Sequence, residues 1–139
     1  MLFCLLSIAI SVPARGYGDI LIVVNQESSI YNISERELID LYMGRRFEFS
    51  NGETVLKLDQ GKDSDTKRLF YQLLIGKTLS EVTAYWARLL FTGRSTPPYG
   101  LGDDASIVNM VMGNKSALGY VNEELDIDVS KVKVVGRVH

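Results

Sequence analysis

Cysteine and histidine are nearly absent from this sequence, with one of each among 139 residues. The single histidine is His139, which excludes an internal Ser-His-Asp triad and a histidine-rich metal site. The single cysteine, Cys4, lies in the N-terminal apolar run, so the rest of the chain can form no disulfide and offers no thiol nucleophile. No pair of carboxylates is marked by its setting as a general acid and base. We therefore expect no metal, no cofactor and no enzymatic activity.

An excess of positive charge is also missing. Fifteen Lys and Arg residues stand against 17 Asp and Glu residues, which gives a formal net charge of -2. Such a chain has no broad basic surface for nucleic acid or for an anionic membrane. We expect no nucleic-acid partner and no direct insertion of the mature chain into a membrane, and any anion would have to be bound locally.

The N-terminus contains an apolar run, residues 2–12, followed by Pro13 and by the small residues Ala14 and Gly16. The run is too short to span a bilayer and matches the apolar and cleavage regions of a secretory signal. The alternative is a buried first strand or helix. We predict a signal peptide at 1–16, a mature domain at 17–139, and a periplasmic or secreted location.

The remaining sequence alternates apolar strands with amphipathic helices. The β-branched run "DILIVVN", residues 19–25, is typical of a strand covered on both faces. This alternation predicts an α/β fold, a three-layer-like sandwich with a mainly parallel sheet of about four to five strands and about four helices. Further strands are predicted at 54–59, 116–121 and 132–138, and helices are predicted after Ser34, after the corner at 63–66, after Thr78 and at Asp104.

Two of the helices carry the clearest end signals. Ser34 with Glu37 and Thr78 with Glu81 have the spacing of a capping box, in which each end of the pair accepts a hydrogen bond from the backbone of the other. Gly44 is placed to act as the C-cap of the first helix. A fourth helix is predicted to be capped by Asp104.

The stretch "DQGKDSDTKRLF", residues 59–70, leads from a strand through a polar turn into a helix. The first N–H groups of a helix lack intrahelical partners, and the helix dipole is positive there, so such a corner can bind an anion. The hydroxyls of Ser64 and Thr66 can add donors, and Gln60 and Lys62 lie close by in the sequence. In an open α/β sheet this corner also falls outside the carboxyl end of the strand, where ligands usually bind.

Two carboxylates in the same stretch favour a purely structural corner. Asp63 and Asp65 are suited to a helix N-terminus on their own account, and they would repel an anion bound beside them. The local pattern therefore leaves two interpretations open: an anion site, or a capped structural helix.

Three segments, in order, resemble a known family. They are "ISERELIDLYMGRRFEF", then "VLKLDQGKDSDTKRLFYQLLIG" with "AYWARLLFTG", and finally "IVNMVMGNKSALGYV". Together they resemble the phosphate-binding-protein-like family, the periplasmic solute-binding components of phosphate ABC transporters. The resemblance covers roughly residues 20–121, and it implies a short form with one lobe of a type II periplasmic binding protein.

The resemblance also implies which residues would bind the ligand. The family carries an "Arg-Ser-x-Gly-Ser-Gly-Thr" phosphate loop before a helix, and in this chain Ser64 and Thr66 match its Ser and Thr. Gln60 stands where the family has arginine, and Asp65 replaces a glycine. The implied ligand-binding residues are thus Gln60, Ser64, Asp65 and Thr66, without the charge-assisted, bidentate contact that arginine provides.

These observations lead to one expected function and one alternative. The first is a secreted solute-binding domain that binds phosphate or a related small oxyanion at a helix N-terminus, in phosphate ABC transport. The second is a ligand-free interaction module that docks on a membrane sensor, a transporter or another envelope protein. Its exposed candidates are the turn at 44–49 and the Gly- and Pro-rich connection at 92–100.

Overall fold

A computed structural model of the protein describes residues 18–93 and 95–139. The predicted signal peptide at 1–16 lies outside these residues. None of the helices in the described part of the chain is long and apolar enough to cross a membrane.

The described residues form five strands and four α-helices, together with a short 3₁₀ helix at Val129–Lys131. The strands are β1 (Ile20–Val24), β2 (Leu56–Asp59), β3 (Tyr99–Gly100), β4 (Ala117–Asn122) and β5 (Lys133–Val138). The helices are α1 (Glu35–Tyr42), α2 (Asp65–Ile75), α3 (Leu79–Thr92) and α4 (Asp104–Gly113). The predicted α/β class and the approximate numbers of strands and helices are confirmed.

The five strands form one sheet in the order β3-β2-β4-β1-β5. Strand β2 runs parallel to β3 and to β4, whereas β1 runs antiparallel to both β4 and β5. The sheet is therefore mixed, and the expectation of a mainly parallel sheet was wrong. The apolar run of β1 reports only that both faces of the strand are covered, and a central strand of a mixed sheet between two layers has the same requirement.

The two faces of the sheet carry separate apolar cores. Ile20, Ile22 and Val24 of β1 point into a core shared with α1, α2 and α3, while Leu21 and Val23 point into a second core shared with α4. All five side chains are at most 4% exposed. Burial of such a side chain stabilises the fold by about 1.5–3 kcal/mol. Strand β1 thus holds together the three layers that the sequence predicted.

The N-termini of α1 and α3 follow the predicted caps, with one difference in their hydrogen bonds. The Thr78 and Glu81 pair forms a complete capping box at the start of α3. Ser34 accepts a hydrogen bond from the Glu37 N–H at 3.1 Å, but the Glu37 carboxylate accepts from the Ser50 N–H at 2.7 Å instead of closing the box. Glu37 therefore ties the start of α1 to the loop that precedes β2.

Two helix ends differ from the prediction by one residue. The C-cap of α1 is Met43, and Gly44 follows it with φ 76°, in the left-handed region that favours glycine. At α4 the N-cap is Asp103, whose carboxylate accepts from the Ser106 N–H at 3.0 Å. The prediction of Asp104 as the cap was wrong because its carboxylate accepts hydrogen bonds from the Thr66 hydroxyl and the Asn122 N–H, which lie far away in the sequence.

Candidate functional site

The turn between β2 and α2 is fixed to the sheet by Gln60. This side chain is 1% exposed, and its Nε2 donates to the carbonyl oxygen of Tyr120 at 3.0 Å. Its Oε1 accepts from the Ser64 hydroxyl at 2.5 Å, and the Ser64 Oγ in turn accepts from the Lys67 N–H at 3.1 Å. The start of helix α2 is therefore fixed relative to β4, because its N-cap, Ser64, is hydrogen-bonded to the buried amide of Gln60.

A second helix N-terminus lies beside the first. The Gly61 N–H donates to the Gly102 carbonyl oxygen at 3.0 Å, just before α4 begins. The Thr66 hydroxyl donates to Asp104 Oδ2 at 2.9 Å, and Asp104 Oδ1 accepts from the Asn122 N–H at 2.8 Å. Since β2 and β3 are parallel, their carboxyl ends meet at the same edge of the sheet, and α2 follows β2 while α4 comes after β3. Helices α2 and α4 thus start next to each other at that edge.

The two helix starts line an open depression of about 700 Å³. Among the described residues, no acceptor is found for the N–H groups of Asp65 and Thr66, the first two positions of α2. Such groups project along the helix axis, out of the N-terminus. The depression is lined by Gly61, Lys62, Asp63, Ser64, Asp65, Thr66, Gly102, Asp103, Asp104, Asn122 and Leu125.

The side chains around these N–H groups are mainly acidic. Asp65 pairs with Arg68, and Lys62 is the one basic residue that lines the depression. The Ser106 hydroxyl and the Ser106 N–H hold the pKa of Asp103 below its ordinary value, so this carboxylate is charged at neutral pH. The described residues contain no group of three or more His, Cys, Asp or Glu arranged to hold a metal ion. The acidic side chains are Asp63, Asp65, Asp103 and Asp104.

A buried polar cluster lies directly behind the depression. The carboxylate of Asp59, at the end of β2, accepts from the hydroxyls of Tyr71 (2.8 Å) and Tyr120, and Lys67 Nζ lies 3.6 Å away. Burial, and then the charge of Asp59, raise the pKa of both tyrosines well above 10. Sequence reasoning missed this cluster, although an aspartate that ends an apolar strand needs buried donors.

The four predicted ligand-binding residues come together at this corner. The side chains of Gln60, Ser64 and Thr66 are engaged in the internal hydrogen bonds given above. The Asp65 side chain is 86% exposed and paired with Arg68. Their role in ligand binding stays a prediction, and the groups that remain available for an anion are backbone N–H groups at the start of α2.

No family model matches the sequence, and no curated protein matches it closely enough to count as a relative. Solved structures do match the fold. An ABC-type phosphate transport receptor from Vibrio cholerae superposes with a TM-score of 0.66 at 17% identity, over 86% of this chain and 46% of that one. PstS from Borrelia burgdorferi gives a TM-score of 0.64 at 12% identity, over 86% and 48%.

A Clostridium perfringens protein whose structure contains bound phosphate gives a TM-score of 0.65 at 16% identity. The superposition covers 86% of this chain and 44% of the Clostridium perfringens chain. The chain therefore spans less than half the length of the solved structures that it resembles. At these identities the likeness establishes the fold alone, an α/β sandwich similar to one part of these solved structures.

Proposed function

We propose that this chain is a periplasmic or secreted solute-binding domain that binds phosphate or a related small oxyanion at the N-terminus of α2. The observation that carries the proposal is the pair of N–H groups, from Asp65 and Thr66, which have no acceptor among the described residues and open on a depression shared with α4. Paired helix starts offer a positive electrostatic potential and hydrogen-bond donors to an anion. A similar fold binds phosphate in the Clostridium perfringens structure.

The surrounding charges make this a weak site on its own. A carboxylate about 4 Å from a bound anion opposes it by about 1 kcal/mol even at the dielectric constant of water. Three of the four nearby aspartates are exposed, and Gln60, where the resembled family has arginine, is buried within the corner. We propose that a second chain, such as an ABC-transporter subunit, covers the open side of the depression and contributes the missing positive charge.

The experiment is a calorimetric titration of phosphate, sulfate and acetate into the mature protein and two variants at Asp65. Proline is tolerated at the first position of a helix, and Ser64 before it has φ -74° and ψ 123°, an extended conformation that a following proline allows. Asp65→Ala removes the carboxylate and keeps the N–H, whereas Asp65→Pro removes both.

We expect Asp65→Ala to tighten phosphate binding a few-fold at low salt, because a repulsive charge is lost. Asp65→Pro should bind about ten- to a hundredfold more weakly than Asp65→Ala, because a hydrogen bond to a charged group contributes about 1.5–3 kcal/mol. Equal phosphate affinities of the two variants would show that the Asp65 N–H at the start of α2 does not bind the anion. Absence of heat with every anion would refute oxyanion binding by the isolated chain.

Exposed aromatic side chains favour a second candidate function, a protein-docking module. Phe47 is 54% exposed and Tyr99 is 57% exposed, and they lie in the two segments that the sequence offered for docking, 44–49 and 92–100. A Phe47→Ser/Tyr99→Ser variant should lose a partner that the wild-type protein retains from envelope extracts. Retention of the same partners by both proteins would count against docking through these segments.

A further inference from the structure

A second pocket lies at the other end of α2, away from the anion site. It is formed where α1 and α2 end against α3, and its volume is about 340 Å³. Helix α2 has 11 residues, so its two ends are about 15 Å apart at 1.5 Å per residue. We call this cavity the three-helix pocket. It shares no lining residue with the depression at the start of α2.

The floor of the three-helix pocket is apolar and held in place. Met43 and Val82 are 7% and 5% exposed, and the half-buried Ile39 and Tyr85 complete the floor. The Tyr85 hydroxyl donates to the carbonyl oxygen of Met43 at 2.6 Å, which fixes the ring between α3 and the end of α1. A cavity of this size is at the lower end of the range of about 300–1,000 Å³ for small-molecule sites.

The rim of the pocket is cationic. Arg45, Lys77 and Arg88 line it, and Glu81 is the one acidic residue among the lining residues. The Glu81 carboxylate accepts from the backbone N–H of Thr78 at 3.2 Å and is therefore committed to the helix cap. The lining residues thus carry a surplus of two positive charges above an apolar floor, and Asp40, which lies outside the lining, offsets one of them through Arg45.

The three cations differ in how firmly they are paired. Arg45 lies 3.3 Å from the half-buried Asp40, and Lys77 lies 3.5 Å from the exposed Glu81. Both cations are themselves exposed, so each can exchange its partner for a ligand at little cost. Arg88 forms no ion pair and no side-chain hydrogen bond with any residue in the described part of the chain. Arg88 is therefore the cation best placed to receive the charge of a ligand.

We propose that the three-helix pocket binds a small organic anion with an apolar body, of the class of a medium-chain carboxylate. The apolar chain would lie on Met43, Val82 and Tyr85, and the carboxylate would meet the guanidinium of Arg88. An inorganic oxyanion has no apolar body and would gain nothing from the floor. The site and its ligand are thus independent of the proposed oxyanion site.

The experiment is a titration of octanoate and of 1-octanol into the mature protein, followed by NMR through the methyl groups of Met43 and Val82. We expect saturable shifts with octanoate in the millimolar range or tighter, and about tenfold weaker binding of 1-octanol, which has the same chain without the charge. Arg88→Glu should weaken octanoate binding about tenfold, and Arg88→Gln less. Lys131→Glu, an equal charge change on the opposite layer of the fold, should leave binding within about twofold.

Equal affinities for octanoate and 1-octanol, or for wild-type protein and Arg88→Glu, would overturn the assignment of the rim. Displacement of octanoate by inorganic phosphate at equal concentration would overturn the separation of the two sites. Wild-type spectra away from the pocket in each variant show that the fold is intact. Absence of any shift with octanoate would refute the proposal, whatever the outcome of the phosphate titration.

Discussion

Replacement of Thr66 by valine tests the contact that joins the two helix starts. Thr66 is 4% exposed, and its hydroxyl donates to Asp104 Oδ2 at 2.9 Å. Valine has nearly the same shape, so Thr66→Val removes the donor and leaves a buried carboxylate oxygen without it. Hydrogen bonds to charged groups contribute about 1.5–3 kcal/mol, and we expect a loss of that size in the free energy of unfolding.

Thr66→Ser is the matched control, because it keeps the hydroxyl and removes only a methyl group. Its expected cost is about 1 kcal/mol, smaller than that of Thr66→Val. Urea denaturation measures both values. Asp104→Asn and the double variant Thr66→Val/Asp104→Asn complete a double-mutant cycle, in which a coupling energy of about 1 kcal/mol or more is expected between residues in contact.

The result that would refute this reasoning is a Thr66→Val variant as stable as Thr66→Ser, or a coupling energy near zero. Either outcome would mean that the hydroxyl does not bond Asp104 in solution. The alignment of α2 with α4 would then rest on packing and on the backbone hydrogen bond between Gly61 and Gly102, without a side-chain contact from Thr66.

Two further predictions concern the core. The buried Tyr42, Tyr71 and Tyr120 keep their protons in the folded state, whereas the unfolded chain loses them above pH 10. The free energy of unfolding should therefore fall from about pH 10 upward, by about 1.4 kcal/mol per pH unit for each of these tyrosines. A rise in absorbance at 295 nm that is complete before the protein unfolds would contradict this prediction. A Cβ on Gly119 would lie 2.5 Å from the Ile107 side chain, so Gly119→Ala should cost about 1–3 kcal/mol in the free energy of unfolding. Gly113 has open space around it, so Gly113→Ala should be neutral or stabilising in thermal unfolding. Equal effects of the two substitutions would refute the packing argument.

The local elements were readable from the sequence because their causes are local. A cap such as Thr78 and its partner Glu81 lie three residues apart, so the spacing alone predicts the hydrogen bonds that start α3. The corner at 59–70 was predicted for the same reason: a strand, a polar turn and a helix start follow one another in the chain. The two-sided burial of β1 likewise follows from its continuous apolar run.

The direction of β1 and the partners of the buried charges were decided by the tertiary structure. Asp104 is hydrogen-bonded to Thr66, which is 38 positions away in the sequence, and Tyr120 is hydrogen-bonded to Asp59, which is 61 positions away. Neither contact produces a short-range pattern from which it could be predicted. The three-helix pocket depends in the same way on where three helices end against one another. The sequence by itself determined the elements and the place of the helix start, since those depend on neighbouring residues. Only the folded chain decided which groups at that corner are buried in internal bonds and which remain free, because that depends on long-range packing.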